Sequence, residues 1–327
     1  MQFTTKIPIE KFQNSITYES KIMAFGSCFA ENISDKFSYF KFEIKTNPFG
    51  IIFNPVSIEN LINRIVNKIE FTEKDIFFHN DLWHCFEVHS ELSNPNKIDF
   101  LQKLNTVLEE THLRILKTTH FQITYGTSWV YRLRQAQSDS LGIVANCHKV
   151  PQKEFAKELL SIETIEKSIQ NTINLIQKTN PNCNFIFTIS PVRHIKDGFV
   201  ENSVSKANLI SAIHSTRSSQ LETLNYFPSY EIMMDELRDY RFYAQDMLHP
   251  NQTAIDYIWE RFSENYISDD GLKVMEEVDS IQKSLLHKSF NPVSEKHLKF
   301  LEKLNIKINT LAIKYPQIQF KNDTTAN

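Results

Sequence analysis

Short runs of apolar, β-favouring residues alternate along this chain with longer segments of helical periodicity. This alternation is the pattern of a parallel sheet wrapped by helices. The predicted strands are Ile22–Phe25, Phe42–Lys45, Phe121–Tyr125, Asn184–Ile189 and Tyr230–Met234. The predicted helices are Ala30–Tyr39, Ile58–Lys68, Lys97–Arg114, Pro151–Lys178, Ser205–Leu224 and Thr253–Tyr266. We therefore predict an α/β fold with a five-stranded parallel sheet.

The pattern changes near residue 268, which divides the chain into two predicted parts. Residues 1–267 hold the sheet, with an insertion at about residues 55–119 between the second and third strands. Residues 268–327 hold two amphipathic segments joined at "SFNPVS" and a polar, frayed end after Gln319. We expect a C-terminal helical hairpin that packs on the domain or forms a homo-oligomer.

Bulk composition limits the classes of function. With 41% hydrophobic residues the chain buries a full core, and a net charge of -3 argues against a nucleic-acid surface. No run approaches the ~18 apolar residues that a membrane span needs, and the first residues do not resemble a secretory signal. The four scattered cysteines are expected to be reduced thiols, so we expect a cytoplasmic protein.

Small and polar residues follow each predicted strand. Ligands of an open parallel sheet bind outside the carboxyl ends of its strands, where loops and helix N-termini converge. The segments at these positions are "GSC", "NPFGIIFNP", "YGTSWVYR", "SPVRH" and, a little later, "YRFYAQDMLHPNQ". The candidate site is therefore expected along this one edge.

The first of these segments, Gly26-Ser27-Cys28, has the composition of a nucleophile turn. Glycine allows a sharp bend, and the free amides of the helix that follows favour negative charge. Such a position lowers the pKa of a thiol and can hold a developing oxyanion. A tight turn with a buried cysteine is the structural alternative.

The last segment supplies a carboxylate and an imidazole. Asp246 and His249 are three residues apart, just before a helix that Asn251 can cap. A carboxylate in this place can orient a histidine that activates a nucleophile. Alone the pair is a weak motif, but together with the nucleophile turn it indicates a catalytic site.

These motifs together resemble the GSCFA-domain family, whose name is spelled by residues 26–30. That family is similar to the SGNH (GDSL-type) hydrolases and acyltransferases. The resemblance covers roughly Phe3 to Tyr266 and includes "NPFGIIFNP", "YGTSWVY", "VANCHKVP" and "SPVRHIKDG". It implies a flavodoxin-like, three-layer α/β/α fold with a nucleophile in the first turn and an Asp-x-x-His loop near the end.

The resemblance carries over to particular residues. Asp246 and His249 match the Asp-x-x-His loop. The related turn reads Gly-Asp-Ser, so its third position corresponds to Cys28, and Ser27 is the alternative nucleophile. The Gly50 amide corresponds to an oxyanion donor beside that of Cys28.

The third SGNH block, normally Gly-x-Asn-Asp, departs from the pattern here. It reads Gly126-Thr127-Ser128-Trp129, so the third donor is Thr127, Ser128 or a residue from elsewhere, with Asn146 as a replacement. The full set of oxyanion or substrate-binding candidates is Gly50, Asn54, Gly126, Thr127, Ser128, Asn146, Arg193 and His194.

Two cationic positions have a functional and a structural interpretation. Arg193, with His194 beside it, follows the fourth strand, where a guanidinium can clamp a substrate carboxylate or phosphate or pair with a loop acid. Lys206 could act similarly, but a solvated position at the start of a helix is the favoured interpretation.

A histidine-rich segment raises the question of a metal. His79, His84, Cys85 and His89 lie within eleven positions, but their spacing fits no standard zinc template. We predict no metal site, and these residues could instead line the pocket. His148 stays unassigned.

The sequence therefore predicts an esterase or acyltransferase with a Cys (or Ser)-His-Asp constellation. Its substrate would be an acylated glycan or another small ester. No cofactor is required, although acyl-CoA is compatible as a donor. The alternative is a non-catalytic SGNH-fold module that binds a glycan or peptide.

Overall fold

The computed structural model describes residues 4–134, 142–220 and 224–320. The strands are β1 (Lys21–Gly26), β2 (Glu43–Thr46), β3 (Phe77–His79), β4 (Leu82–His84), β5 (His120–Tyr125), β6 (Trp129–Leu133), β7 (Ile143–Val144), β8 (Phe155–Leu159), β9 (Asn184–Ile189) and β10 (Leu224–Phe227). The helices are α1 (Cys28–Tyr39), α2 (Pro55–Val66), α3 (Lys97–Ile115), α4 (Ile162–Thr179), α5 (Phe199–Gln220), α6 (Ser229–Glu231), α7 (Gln252–Tyr266), α8 (Asp269–Leu285) and α9 (Glu295–Lys314). The predicted frayed tail at residues 321–327 lies outside the described residues.

Five parallel strands form the central sheet in the spatial order β10-β9-β5-β1-β2. The register pairs Ile22 of β1 with Ile44 of β2 and with His120 of β5, and His120 with Asn184 of β9. When the five strands are numbered within the sheet alone, their spatial order is 2-1-3-4-5, as in flavodoxin-like folds. The order in which strands are added to the sheet reverses between β1 and β5. The predicted α/β fold with a five-stranded parallel sheet is confirmed.

Both faces of the sheet are buried. Alternate residues of each strand point to opposite faces, so neighbouring residues join different core clusters. Met23 and Phe25 of β1 join a core cluster with α2, α3, α4 and α5. Ile22, one position earlier, joins a second cluster with α1, α7, α8 and α9. The sheet is thus the middle of three layers, and the predicted C-terminal helices pack into the second cluster.

The fifth predicted strand was placed wrongly. Tyr230–Met234 is helical, in α6 and the π-helical turn Ile232–Glu236 that follows, while the strand is β10. Pro228 lacks the N–H that would continue the strand. A short apolar run such as this one suits a buried helix as well as a strand, and Ile232 and Met233 are fully buried.

The predicted helix Pro151–Lys178 is wrong over its first third. The helix begins at Ile162, where the Ser161 side chain accepts from the Thr164 amide. Phe155–Leu159 instead forms β8, which pairs antiparallel with β6. Strand pairing partners far along the chain override local helical preference here.

The predicted insertion between the second and third strands contains α2, the β3–β4 hairpin and α3. No helix within the described residues is both long enough and apolar enough to cross a bilayer.

Gly26, at the end of β1, is a position that only glycine fits. Its φ is +144°, and a Cβ would lie 2.3 Å from the Thr124 carbonyl oxygen of β5. We expect Gly26→Ala to lower the free energy of unfolding by about 2–4 kcal/mol, since both backbone strain and a clash with rigid backbone oppose it. Chemical denaturation measures this loss.

Gly198→Ala is the matched control for Gly26→Ala. Gly198 also has a positive φ, +110°, but an added Cβ would meet the movable carboxylate end of Glu201. Backbone strain alone then predicts a loss of about 1 kcal/mol. Equal losses in the two variants would contradict the clash at Thr124.

Candidate active site

The turn between β1 and α1 is hydrogen-bonded to β5 and to the segment that follows β2. The Gly26 amide donates to Asn47 Oδ1 (2.9 Å) beyond β2, and the Ser27 amide donates to the Thr124 carbonyl (3.1 Å) of β5. These bonds hold Cys28 at the first position of α1. The turn therefore lies at the carboxyl edge of the sheet, beside the switch between β1 and β5.

Ser27 and Cys28 are unequal as nucleophile candidates. The Ser27 hydroxyl is buried, with 1% of the residue exposed, and it caps α1 by accepting from the Phe29 amide (3.3 Å). The Cys28 thiol is half-buried. The geometry thus favours Cys28 over Ser27 as the accessible group.

The Cys28 thiol is not an activated thiolate in this conformation. Burial raises its pKa above the ordinary value, and the charge of Glu31 adds to the rise. The backbone amides of Phe29 and Cys28 and the Lys206 ammonium act in the opposite direction. The lowering that was expected from the helix N-terminus exists, but the net lowering that we predicted is wrong because burial outweighs it.

Asp246 and His249 form a hydrogen-bonded pair. Asp246 Oδ2 lies 2.6 Å from His249 Nδ1, and Asp246 Oδ1 accepts from the Leu248 (2.9 Å) and His249 (3.0 Å) amides. These amide bonds and the imidazole bond lower the pKa of Asp246 to about 2, so the carboxylate is ionised at neutral pH. The ionised carboxylate accepts from His249 Nδ1, which leaves Nε2 as the nitrogen that can take a proton.

The loop that carries this pair is fixed to the end of β9. The Arg193 amide donates to the Leu248 carbonyl (3.3 Å), and the Ala244 amide donates to the His249 carbonyl (2.7 Å). Asn251 caps α7 by accepting from the Ala254 amide, as predicted from the sequence. The imidazole is thereby held at the same sheet edge as the nucleophile turn.

Cys28 and His249 lie at the same edge of the sheet. Cys28 follows β1, and the His249 loop is attached beyond β9, with β5 between these two strands. Among the described residues no hydrogen bond joins the imidazole to the sulfur. Both Asp246 and His249 side chains are 46% exposed, so the imidazole is accessible from solvent.

Several of the predicted oxyanion or substrate-binding groups already make internal hydrogen bonds. The Gly50 amide donates to the Asn47 carbonyl (2.8 Å) and the Gly126 amide to the Phe53 carbonyl (2.8 Å). Asn54 caps α2, with Oδ1 accepting from the Ser57 amide and Nδ2 donating to the Ser57 hydroxyl. These three candidates therefore already make internal hydrogen bonds in this conformation, and their role toward a ligand stays a prediction.

The third block, Gly126-Thr127-Ser128-Trp129, also makes internal hydrogen bonds. Thr127 and Ser128 contact Ser205 at the start of α5: the hydroxyls of Thr127 and Ser205 lie 2.9 Å apart, and the Ser128 hydroxyl donates to the Ser205 carbonyl (3.1 Å). Asn146 differs, because its Oδ1 accepts from the His148 amide (2.8 Å) and this bond does not use its Nδ2 donor group. The backbone amides of Phe29 and Cys28 both act on the Cys28 sulfur and lower the pKa of its thiol, although burial outweighs them.

Arg193 is held by tyrosines, and it has no carboxylate within 4.0 Å in the described part of the chain. Its guanidinium lies over the rings of Tyr243 (4.8 Å) and Tyr240 (5.5 Å), and Nη1 donates to the Tyr240 hydroxyl (3.3 Å). Its backbone bond to Leu248 places it beside the loop that carries His249. The guanidinium is therefore a candidate to bind an anionic group of a ligand.

His194 is a half-buried neutral imidazole. Its ring stacks on Phe53 with centroids 5.4 Å apart, and burial lowers its pKa to about 3, with smaller effects from Lys206 and His249. His194 Nε2 is buried without a hydrogen-bond partner, beside the Cα of Gly126. A Cβ at Gly126 would come within 3.1 Å of this nitrogen, so glycine leaves room for the ring.

Lys206 is the site residue whose environment differs most from the sequence prediction. The expected solvated position is wrong: Lys206 is 1% exposed, and its Nζ donates to the carbonyls of Gly126 and Ser190, both at 2.7 Å. The helix begins at Phe199, six residues earlier than predicted. Counted from that start, Lys206 falls on the buried stripe of α5, which is Asn202, Ser205, Lys206, Leu209, Ala212, Ile213 and Thr216.

The histidine-rich segment is occupied by internal hydrogen bonds. His84 Nδ1 lies 2.6 Å from the Ser93 hydroxyl, and His84 Nε2 lies 3.0 Å from the His79 carbonyl. His148 Nε2 lies 2.7 Å from the Cys85 carbonyl. In the ranges that the structure describes, no three His, Cys, Asp or Glu side chains are grouped to hold a metal ion.

Comparison with known proteins adds a family and one structural likeness. A carbohydrate esterase family 3 from Talaromyces cellulolyticus has a similar structure, with a TM-score of 0.36 and 10% identity over 80% of this chain and 99% of that chain. No match was found among curated proteins. The sequence matches the GSCFA family over residues 21–262 and the C-terminal domain of GSCFA domain proteins over residues 278–325. The chain belongs to the GSCFA family.

Proposed function

We propose that this protein is an acyl-transfer enzyme, an esterase or acyltransferase, in which Cys28 is the nucleophile. The observation that carries the proposal is the Asp246–His249 pair, held at the same sheet edge as the nucleophile turn. An ionised carboxylate on Nδ1 leaves Nε2 free to take a proton, which is the arrangement of a general base.

His249 Nε2 takes the Cys28 proton, and the thiolate attacks the acyl carbon of an ester or thioester. The Cys28 amide donates to the tetrahedral oxyanion. Collapse of the intermediate leaves a thioester on Cys28, and the departing alcohol or thiol takes the proton from His249.

The thioester is then resolved by a second nucleophile. Water gives net hydrolysis, whereas a sugar hydroxyl gives transfer, and in both cases His249 accepts the proton of the attacking hydroxyl. A cysteine suits this role because its thiolate attacks an acyl carbon readily and is a good leaving group from the thioester that it forms. An acylated glycan or small ester fits as substrate, and acyl-CoA fits as a donor.

Trapping of the acyl-enzyme tests the proposal. The protein is incubated with a short-chain acyl nitrophenyl ester, quenched in acid and analysed by intact mass and peptide mapping. We expect one acyl group per chain, on Cys28, and its loss in His249→Ala.

Cys147 provides the internal control for this experiment. It is also half-buried, and burial raises the pKa of its thiol to about 11. Equal acylation of Cys28 and Cys147 would indicate non-specific chemistry. An unacylated protein that still binds glycans or peptides would favour the non-catalytic binding module.

A further inference from the structure

The guanidinium of Arg193 carries a charge that its neighbours in the described chain do not neutralise. It lies over the rings of Tyr243 (4.8 Å) and Tyr240 (5.5 Å), and its Nη1 donates to the Tyr240 hydroxyl (3.3 Å). Phenol hydroxyls are uncharged at neutral pH, and burial raises the pKa of Tyr243 further. The two rings therefore hold the cation without supplying a negative charge.

The two acids of the loop formed by residues 239–250 have other partners. Asp239 Oδ2 lies 3.0 Å from Nη2 of Arg241, whose guanidinium lies 5.6 Å from the ring of Phe242. Asp246 is bonded to the imidazole of His249 and accepts from two backbone amides. The loop thus provides one carboxylate for its own arginine and one for its histidine, but none for Arg193.

The tyrosine contacts leave hydrogen-bond donors of Arg193 for a ligand. A guanidinium has five N–H groups in a planar fork, which matches two oxygens of a carboxylate or phosphate. The two tyrosine hydroxyls use only part of this set, and the side chain is half-buried, so part of it is open to solvent. Stacking on two rings restricts the side chain before a ligand arrives, which reduces the entropy lost on binding.

Arg193 is joined through the backbone to the residues on either side of His249. Its own amide donates to the Leu248 carbonyl (3.3 Å). Tyr243, whose ring lies against the guanidinium, forms an antiparallel bridge with Pro250. The cation and the imidazole therefore belong to one hydrogen-bonded unit at the carboxyl edge of the sheet.

We propose that Arg193, seated on Tyr240 and Tyr243, binds an anionic group of the substrate, a carboxylate or a phosphate. The proposal rests on the proposed function, because it assigns charged esters or thioesters as the substrate class of that site. Binding of the anion does not itself require turnover. A neutral ester lacks the group that the guanidinium binds, so Arg193 distinguishes charged from neutral substrates of the same chain length.

Two pairs of substrates test the preference and identify the anion. Nitrophenyl hydrogen adipate and nitrophenyl hexanoate have acyl chains of equal length and differ by a terminal carboxylate. Acetyl-phosphopantetheine and acetyl-pantetheine differ by a phosphate. We expect Arg193→Gln to lower kcat/KM about 10–100-fold for the charged member of one pair, and less than about threefold for its neutral member. The pair that responds shows whether the anion is a carboxylate or a phosphate.

Arg241→Gln is the matched control for Arg193→Gln. It removes a guanidinium from the same loop that also lies over an aromatic ring but is paired with Asp239, and it is expected to change kcat/KM for each substrate less than about twofold. An arginine that only braced the loop would lower kcat/KM for charged and neutral members alike. A ratio of charged to neutral kcat/KM that stays the same in Arg193→Gln, for both pairs, would overturn the proposal.

Anion binding to Cys28→Ala tests the subsite without turnover and with Arg193 intact. The side-chain N–H resonance of Arg193 is followed by NMR while inorganic phosphate or adipate is added at constant ionic strength, with sodium chloride as the reference. We expect a saturable shift with phosphate or adipate that chloride does not produce. No shift, or the same shift with chloride, would overturn the subsite. A saturable shift in a protein whose parental form has no acyl transfer would reject the proposed function alone.

Discussion

Replacing Cys28 with alanine is expected to abolish acyl transfer, with a loss of at least about 10³-fold, because the proposed covalent intermediate forms on its sulfur. The fold should survive. Cys28 is half-buried at the first position of α1, and alanine is a strong helix former, so the free energy of unfolding should change by less than about 1 kcal/mol. Steady-state hydrolysis of an acyl nitrophenyl ester measures the activity, and thermal unfolding measures the fold.

Cys147→Ala is the matched control for Cys28→Ala. It removes a second half-buried thiol of raised pKa from outside the nucleophile turn and is expected to leave turnover unchanged. Full activity in Cys28→Ala would instead make Ser27 the nucleophile. Ser27→Gly separates that case from loss of the helix cap, because glycine at this position costs only a few tenths of a kcal/mol.

The sheet was predictable where local pattern and tertiary environment agree. β1, β5 and β9 are buried on both faces. β1 and β9 read as nearly continuous apolar runs in the sequence, whereas β5 alternates apolar with polar residues, which is the period of a strand. β8 and β10 were missed because their pairing partners lie elsewhere along the chain, and no local pattern separates them from neighbouring helices. The C-terminal helices were predictable because their apolar positions recur with helical spacing.

The site was predictable where spacing along the chain fixes geometry. Asp246 and His249 are three residues apart, so one loop brings them together. Lys206 was not predictable in this way, because its charge suggests solvent and its two carbonyl partners belong to different strands. The turn bond of the Gly50 amide and the cap bonds of the Asn54 side chain could not be predicted in this way, because they depend on the local backbone conformation.

Replacing Asp246 with asparagine is expected to reduce turnover by about 10²–10⁴-fold, the range for removal of a residue that orients a catalytic histidine. The geometry gives the reason. Oδ1 accepts from two backbone amides, so the variant's amide oxygen must stay there and its NH₂ group must face His249 Nδ1. Nδ1 then accepts, the ring proton moves to Nε2, and the base is lost.

The pH profile separates this mechanism from a simple loss of charge. Asp246 has a pKa of about 2, so it stays ionised throughout the working range and its protonation cannot cause an acid limb above about pH 4. Asp239→Asn removes another exposed carboxylate of lowered pKa, one that caps a short turn and pairs with Arg241, and is expected to change turnover less than about threefold. Raising the pH should not restore Asp246→Asn, because the wrong tautomer persists at every pH at which the ring is neutral. Parental turnover in this variant would remove Asp246 from the mechanism and leave His249 without an orienting partner.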